Sequence, residues 1–172
     1  MRFRHCPDCG ALLSARNLGD EVNVPWCDSC SKPWFEIFPA CIIALVHDGR
    51  GRVLLLHQDY ISTRYANLVS GYITPGESAE ECARREIREE TGLNVDCLEL
   101  VGTYWFAKKE MLMIGFFAKV SGTDVTLSKE VNSAEWVDAA DAPGLVHPEG
   151  SVSHTLAELF IRDSSGSRAG DC

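Results

Sequence analysis

The sequence lacks an apolar run long enough to cross a lipid bilayer. Its longest runs, such as Cys41 to Val46, are far shorter than the about 20 residues that a membrane-spanning helix needs. The opening residues, MRFRHCPDCG, also lack the apolar segment of a secretion signal. We therefore expect a protein without membrane contact that works in the reducing cytoplasm.

Positive charge is also scarce in this sequence. Lysine and arginine number 16 against 25 aspartates and glutamates, and the formal net charge is −9. A large nucleic-acid interface needs many cations facing phosphates, so this balance argues against one, although a local basic patch is compatible with it. Acidic proteins that handle anionic substrates commonly use bound metal ions, whose ligands are carboxylates.

The eight cysteines lack the arrangement of a disulfide framework. Four of them form two C-x2-C pairs, which are separated by 17 residues: Cys6, Cys9, Cys27 and Cys30. This spacing is typical of a tetrahedral Zn²⁺ site, and four thiolates leave no open position for a catalytic water. We therefore predict a structural zinc. Two disulfides or a redox pair are the alternatives, but they need an oxidising compartment or a strand–helix context that is absent here.

The stretch between the cysteine pairs, ALLSARNLGDEVNVPW, predicts a β-hairpin that turns at residues 17–20. About thirty residues cannot form a stable core alone, so the metal is expected to supply the folding energy. We predict a four-cysteine zinc ribbon at residues 1–35, a larger domain at 36–163 and a disordered tail at 164–172.

The pattern after the ribbon predicts a sheet combined with helices. Residues 40–58 read as a hairpin around a glycine-rich turn. Further strands are expected at 94–106, 111–120 and 134–138. A short helical turn is expected at 138–141, and an amphipathic helix at 151–162 with Ser153 as its candidate cap.

The strongest local pattern runs from Gly71 to Leu93, GYITPGESAEECARREIREETGL. Ser78 and Glu81 have the spacing of a capping box, and Gly92 stands where a C-terminal cap glycine belongs. These signals predict a helix from Ala79 to Thr91.

Three glutamates of this helix lie on an unexpected side. The apolar stripe consists of Ala79, Cys82, Ala83 and Ile87, and an arc of roughly 100° that overlaps it contains Glu86, Glu89 and Glu90. Carboxylates crowded near a buried surface repel one another and lose hydration. A hard divalent cation such as Mg²⁺ compensates for both effects. The alternative is an ordinary solvated helix, which explains neither the glutamate arc nor the glycine-rich loop before it.

The same stretch matches the Nudix box, Gly-x5-Glu-x7-Arg-Glu-apolar-x-Glu-Glu-x-Gly-apolar, at every defined position. The matching residues are Gly71, Glu77, Arg85, Glu86, Ile87, Glu89, Glu90, Gly92 and Leu93. Together with the cysteine ribbon, this match makes the chain resemble the bacterial NADH pyrophosphatase branch of the Nudix family. The resemblance implies an α/β fold, a Nudix α/β/α sandwich with a mixed sheet preceded by a small zinc ribbon, and a homodimer.

The resemblance also implies roles for individual residues. It makes Glu86, Glu89 and Glu90 ligands of a catalytic Mg²⁺ or Mn²⁺, with the Gly71 carbonyl as a further candidate ligand. Glu77 and Arg85 would orient these carboxylates through hydrogen bonds. The family takes its general base from the box or from a later loop, so Glu89 and Glu130 are both candidates. The alternative for Glu130 is a solvated loop carboxylate.

The candidates for substrate contact lie beside the box and in a later loop. Tyr72 and Phe106 are candidates for contacting a base, and Lys108 for meeting phosphates; the alternatives for Phe106 and Lys108 are packing and solvent exposure. The NADH pyrophosphatases carry Ser-Gln-Pro-Trp-Pro-Phe-Pro shortly after the box, where this chain reads TYWFAKK from Thr103 to Lys109. An aromatic cluster remains, but the glutamine and all three prolines are gone.

The resemblance implies hydrolysis of the pyrophosphate bond in a nucleoside diphosphate derivative. An NADH- or NAD-like dinucleotide is the first expectation, and ADP-ribose, a dinucleoside polyphosphate or an NAD-capped RNA end are alternatives. A nucleotide-sensing regulatory protein, with the ribbon contacting a partner, is the alternative from another class. The intact box argues against it, because loss of catalysis would typically show as a missing glutamate.

Overall fold

The computed structural model describes residues 3–165. The chain divides between Phe38 and Pro39 into two compact units. None of the helices in the described residues is both long and apolar enough to cross a membrane. The last helix includes residues 164 and 165, and the rest of the tail expected at 164–172 lies outside the described residues.

The first unit contains a three-stranded antiparallel sheet of β1 (Ser14–Leu18), β2 (Glu21–Cys27) and β3 (Lys32–Pro33). Strands β1 and β2 pair from Ser14 with Trp26 to Leu18 with Glu21. The turn between them contains Gly19 at a φ of 60°, a left-handed conformation that glycine adopts without steric cost. The predicted hairpin is confirmed.

The second unit is built on a six-stranded sheet. Its strands are β4 (Ala40–His47), β5 (Arg52–His57), β6 (Val69–Tyr72), β7 (Val95–Phe106), β8 (Met111–Val120) and β9 (Ser133–Asp138). The order is β7-β8-β4-β5-β9, and β6 also pairs with β4. Strands β4 and β8 are parallel while the other pairs are antiparallel, so the predicted mixed sheet is confirmed.

Helices cover both faces of this sheet. Within residues 3–165 the α-helices are α1 (Ala79–Thr91), α2 (Ala142–Leu145) and α3 (Val152–Ser165). Successive side chains of a strand point to opposite faces, and in β4 Ile42 packs in the cluster that contains Ile87 of α1. The next residue, Ile43, packs in the cluster that contains Leu156 of α3. Each buried aliphatic side chain contributes roughly 1.5–3 kcal/mol. The predicted α/β/α sandwich is confirmed.

Helix α1 has the predicted bounds and caps. The Glu81 N–H donates to Ser78 Oγ at 3.2 Å, and the Ser78 N–H donates to the Glu81 carboxylate at 2.7 Å. At the other end Gly92 has a φ of 73°, and its N–H donates to the Arg88 carbonyl. These caps define the two ends of the helix, and packing of its apolar residues, Ile87 among them, turns its other side away from the core.

One of the two predictions near the carboxyl end is confirmed and the other is wrong. The helical turn predicted at 138–141 is present, since the Asp141 N–H donates to the Asp138 carbonyl at 2.9 Å, and α2 follows it directly. Helix α3 is capped by Ser151, whose Oγ accepts a hydrogen bond from the His154 N–H at 3.1 Å. Ser153 is buried inside the helix.

Candidate active site and cysteine cluster

Arg85, the middle residue of α1, is the centre of a hydrogen-bonded network. Its Nε and Nη2 donate to the two carboxylate oxygens of Glu77, at 3.0 and 2.7 Å, in the bidentate geometry that guanidinium groups favour. Its Nη1 donates to Glu86 Oε1 at 2.7 Å and to Glu89 Oε2 at 3.1 Å. Nη2 also donates to the Tyr72 carbonyl at 3.3 Å. The single guanidinium group of Arg85 therefore binds three of the glutamates that the sequence analysis predicts for the site.

The Glu77 carboxylate joins this network to the loop before the helix. Glu77 Oε1 also accepts hydrogen bonds from the Thr74 N–H at 2.7 Å and the Thr74 hydroxyl at 2.9 Å. The hydrogen bonds from Arg85, followed by the one from the Thr74 N–H, lower the pKa of Glu77 to about 2. Glu77 therefore stays ionised and keeps Arg85 in place at neutral pH.

Glu90 is the most buried glutamate of the box, with 5% of its surface exposed. Its Oε1 accepts a hydrogen bond from Gln58 Nε2 at 2.9 Å, while its Oε2 is buried without a hydrogen-bond partner within residues 3–165. Burial raises the pKa of Glu90 to about 7; the Gln58 hydrogen bond opposes this rise, and the charge of Glu86 adds to it. A buried carboxylate oxygen without a partner is what a bound cation would satisfy.

Glu86 lies directly against the backbone of Gly71. A Cβ atom placed on Gly71 would lie 2.0 Å from both Cδ and Oε1 of Glu86, so only glycine leaves room for this carboxylate. Burial raises the pKa of Glu86, and the Arg85 hydrogen bond opposes that rise. Gly71 is therefore required at this position for space, whatever its carbonyl contributes.

The three glutamates share one region without converging as tightly as a preformed metal shell. Among the described residues, the four cysteines are the group of three or more ligand atoms that lie within 4.8 Å of one another. Donors separate the carboxylates, because Arg85 holds Glu86 and Glu89 while Gln58 holds Glu90. The oxygen donors, the unpaired oxygen and the clearance at Gly71 nevertheless fit a hard divalent cation.

Glu130 lies in a loop that is attached to the end of α1. The Thr126 N–H donates to the Thr91 carbonyl at 2.8 Å, and the Ser128 N–H donates to the Glu90 carbonyl at 3.3 Å. The charge of Glu130 contributes to the raised pKa of Glu90. The structure therefore brings this loop carboxylate to the same side as the glutamates of the box.

The four cysteines of the first unit are not disulfide-bonded. The sulfur atoms of Cys9 and Cys27 are 3.5 Å apart and those of Cys6 and Cys30 are 3.9 Å apart, whereas a disulfide bond is about 2.05 Å long. A tetrahedral Zn²⁺ with bonds of about 2.3 Å separates its sulfurs by roughly 3.8 Å. The cluster therefore has the geometry of a four-thiolate zinc site, and the disulfide alternative does not hold for it.

Most of the second unit matches the model of a known protein family. Residues 38–157 match the model of the NUDIX domain. The chain belongs to the Nudix hydrolase family. The family predicted from the box is confirmed.

Two curated relatives extend the similarity through the ribbon. The chain is 31% identical to the NAD-capped RNA hydrolase NudC of Pseudomonas aeruginosa, over 95% of this chain and 57% of the relative. It is 28% identical to the NAD-capped RNA hydrolase NudC of Vibrio atlanticus, over 94% and 58%. These matches support the resemblance to the NADH pyrophosphatase branch. The chain spans less than two thirds of the length of either relative.

A solved structure supports the Nudix fold over most of the chain. The crystal structure of a NUDIX hydrolase from Nitrosomonas europaea matches with a TM-score of 0.77, covering 96% of this chain and 94% of that chain. The sequence identity is 18%, so this likeness concerns the fold alone.

Two residues outside the Nudix box belong to the site and were not predicted from the sequence. Gln58 Nε2, besides bonding Glu90, donates to the Tyr60 hydroxyl at 3.3 Å. Burial of the hydroxyl, followed by the charges of Glu90 and Glu130, raises the pKa of Tyr60, although 68% of the residue is exposed. The sequence signal that could have indicated Gln58 is the alternation of side chains along a strand. Leu54 and Leu56 of β5 face α1, and Gln58, two residues further on, continues that series.

The predicted substrate-contacting residues lie at one end of the Nudix sheet. Cys41 of β4 pairs with Tyr72 on one side and Met113 on the other, and Phe106 pairs with Met111 before a 3₁₀ turn that contains Lys108. Tyr72 reaches the network through its carbonyl. None of the hydrogen bonds or ion pairs within residues 3–165 joins Phe106 or Lys108 to the glutamates.

Proposed function

We propose that this Nudix hydrolase cleaves the pyrophosphate bond of an NADH- or NAD-like dinucleotide with the help of a bound Mg²⁺ or Mn²⁺. The observation that carries the proposal is Glu90, a buried carboxylate with one oxygen unpartnered in the described chain. It lies beside a second carboxylate, Glu86, for which Gly71 leaves room. The curated relatives are named for an NAD-linked substrate, which supports the dinucleotide.

Glu86, Glu89 and Glu90 would hold the divalent cation, with the Gly71 carbonyl as a further ligand. When bound, the ion supplies neutralisation of pyrophosphate oxygens and acidification of a water molecule. Arg85 sets the orientation of Glu86 and Glu89 through its Nη1 hydrogen bonds, and Glu77 in turn fixes Arg85.

A carboxylate of the chain removes the proton from the attacking water, and Glu130 and Glu89 are its candidates. Glu89 already accepts a hydrogen bond from Arg85, so one of its oxygens is engaged within the chain. Glu130 is exposed and its charge is felt at Glu90. Glu130 is therefore the better candidate for the general base.

The first unit binds Zn²⁺ through Cys6, Cys9, Cys27 and Cys30. Four thiolates close the coordination sphere, so this ion stabilises the ribbon and takes no part in hydrolysis. The ribbon predicted at 1–35 falls within the compact unit that ends at Phe38, and most of the catalytic domain predicted at 36–163 falls within the unit that begins at Pro39.

The substrate is recognised at the end of the sheet where Tyr72 and the turn after Phe106 lie. Tyr72 is 53% exposed and offers a face for stacking on a base. Phe106 and Lys108 would contact the base and the phosphates. Because the glutamine and prolines of the NADH pyrophosphatase segment are replaced between Thr103 and Lys109, this segment decides which nucleotide is preferred.

An NAD-capped RNA end is the second candidate substrate, favoured by the names of the curated relatives. It presents the same pyrophosphate to the same glutamates. The chain acts in the cytoplasm as a homodimer in this proposal, as the resemblance to the NADH pyrophosphatase branch implies.

A hydrolysis panel tests the proposed substrate. NADH, NAD⁺, ADP-ribose, diadenosine polyphosphates and NAD-capped RNA are supplied with Mg²⁺ and then Mn²⁺, and Glu90→Gln serves as the blank. Preference for NADH or NAD⁺, with release of a pair of mononucleotides, is the expected result. Preference for ADP-ribose or a polyphosphate would overturn the dinucleotide assignment while keeping the reaction. No turnover above the blank would favour a nucleotide-sensing regulatory protein instead.

A further inference from the structure

We propose that Gln58 is a positioning residue that holds Glu90 in the orientation in which Glu90 receives a divalent cation. The inference rests on the proposed function, in which Glu90 is a metal ligand. Gln58 follows strand β5 and lies 32 residues before Glu90, outside the Nudix box.

The contacts of Gln58 use its whole donor capacity. Gln58 is 1% exposed, and its Nε2 donates to Glu90 Oε1 at 2.9 Å and to the Tyr60 hydroxyl at 3.3 Å. A side-chain amide nitrogen carries two hydrogens, so these two acceptors account for both. With Oε1 of Glu90 engaged, Oε2 is the oxygen that stays without a partner in the described residues.

A neutral donor suits this position better than a cation would. Arg85 holds Glu86 and Glu89, and its charge compensates for theirs. Gln58 orients Glu90 without adding a positive charge, so the buried carboxylate keeps its full attraction for a divalent ion. Outer hydrogen-bond partners of metal ligands typically control affinity in this way.

The backbone holds Gln58 rigidly at the end of β5. Its carbonyl accepts hydrogen bonds from the Ile61 N–H at 2.8 Å and the Ser62 N–H at 3.0 Å. Leu54 and Leu56 of the same strand pack on the face that α1 covers. The sheet therefore places Gln58 against α1, where its Nε2 meets Glu90.

Binding of Mn²⁺ alone, followed by calorimetry, tests the inference without any substrate. The variants are Gln58→Met, which keeps the shape and removes the amide, Glu90→Gln, and the double variant. We expect Gln58→Met to bind Mn²⁺ about ten- to a hundredfold more weakly. The double variant should bind no more weakly than Glu90→Gln, because Gln58 acts through Glu90.

The matched control is Asn67→Leu. Asn67 is a buried amide whose Nδ2 has no partner within residues 3–165, and its backbone pairs with Leu56 near the same strand end. The Asn67→Leu variant should bind Mn²⁺ with the same affinity as the wild type. Gln58→Asn is the second test variant, since it keeps a buried amide but withdraws the donor by one carbon–carbon bond, and it should weaken binding in the same direction.

Turnover gives a further readout. In both Gln58 variants the Mn²⁺ concentration for half-maximal hydrolysis should rise, while KM for the nucleotide at saturating Mn²⁺ stays unchanged. Wild-type Mn²⁺ affinity in folded Gln58 variants, with weak binding in Glu90→Gln, would overturn the inference and leave the proposed function standing. Additive losses in the double variant would also overturn it. Wild-type affinity in Glu90→Gln would instead overturn the proposed function.

Discussion

At the scale of one residue, Glu90 combines burial with an incomplete set of hydrogen bonds among the described residues. A glutamate with one partner and 5% exposure loses hydration that a single amide does not replace. The result is a carboxylate whose pKa rises from 4.5 to about 7. Such perturbed groups concentrate at functional sites, and here the perturbed group is also a residue of the Nudix box.

Glu90→Gln should stabilise the metal-free protein at alkaline pH. Between pH 4.5 and about 7 native Glu90 keeps the proton that the unfolded chain has lost, so wild-type stability falls as pH rises. Above pH 7 the full penalty, on the order of 3 kcal/mol, is present in the wild type and absent from the variant. Thermal unfolding without added Mg²⁺ or Mn²⁺ measures this difference at pH 5 and pH 8.

The control for this prediction is Glu80→Gln, which removes an exposed carboxylate from the same helix. Its unfolding temperature should follow that of the wild type at both pH values. A Glu90→Gln variant that is equally destabilised at pH 5 and pH 8 would contradict the account of Glu90.

Gly71→Ala should disable the metal site through a steric effect. The new Cβ would lie 2.0 Å from Glu86, so the carboxylate must move away from its present place. We expect Mn²⁺ binding to weaken by roughly tenfold or more. Gly144→Ala is the matched control, because nothing lies within 4 Å of its added Cβ. Equal Mn²⁺ affinity in the two variants would show that Glu86 is not held against Gly71.

At the scale of elements, local signals made most of the fold predictable. The bounds of α1 follow from Ser78, Glu81 and Gly92, each of which acts within a few residues along the chain. The hairpin of β4 and β5 and the ribbon hairpin follow from apolar runs separated by glycine turns. The register of β4 against β8, in contrast, joins residues about 70 apart, and no local pattern indicates it.

The site was predictable to a similar degree. The box placed Glu86, Glu89 and Glu90 on one side of α1, but the helix pattern alone could not show that Arg85 separates two of them from the third. Gln58 was missed because its role depends on the end of one strand meeting the end of a helix. Such tertiary contacts have no signature in local sequence.

Zinc removal should unfold the ribbon element. The short strands β1, β2 and β3 have few buried apolar residues, Val24 among them, so the four thiolates need a metal to hold the hairpin. We expect about one zinc ion per chain, and we expect a chelator or Cys30→Ser to make residues 1–38 sensitive to protease. Elemental analysis and limited proteolysis measure these two results. A zinc-free chain with wild-type protease resistance would contradict a structural zinc.

At the scale of the whole molecule, the chain consists of two compact units, each with its own sheet. The unit that begins at Pro39 carries the Nudix sheet and the carboxylates, while the unit that ends at Phe38 carries the cysteine cluster. The match to the NUDIX domain covers residues 38–157, and the similarity to the curated relatives extends over the ribbon as well. In the proposed function, substrate choice depends on the segment from Thr103 to Lys109, where this chain departs from the NADH pyrophosphatases.

The most direct test of the central claim is the metal dependence of hydrolysis. Turnover of the best substrate in the panel is measured as Mn²⁺ is raised, for the wild type, Gly144→Ala and Glu90→Gln. We predict no turnover without the ion, a saturable rise in the first two proteins, and a loss of roughly a hundredfold or more in Glu90→Gln despite a folded melting profile. Equal turnover by the wild type and Glu90→Gln would contradict the assignment of this helix as the catalytic site.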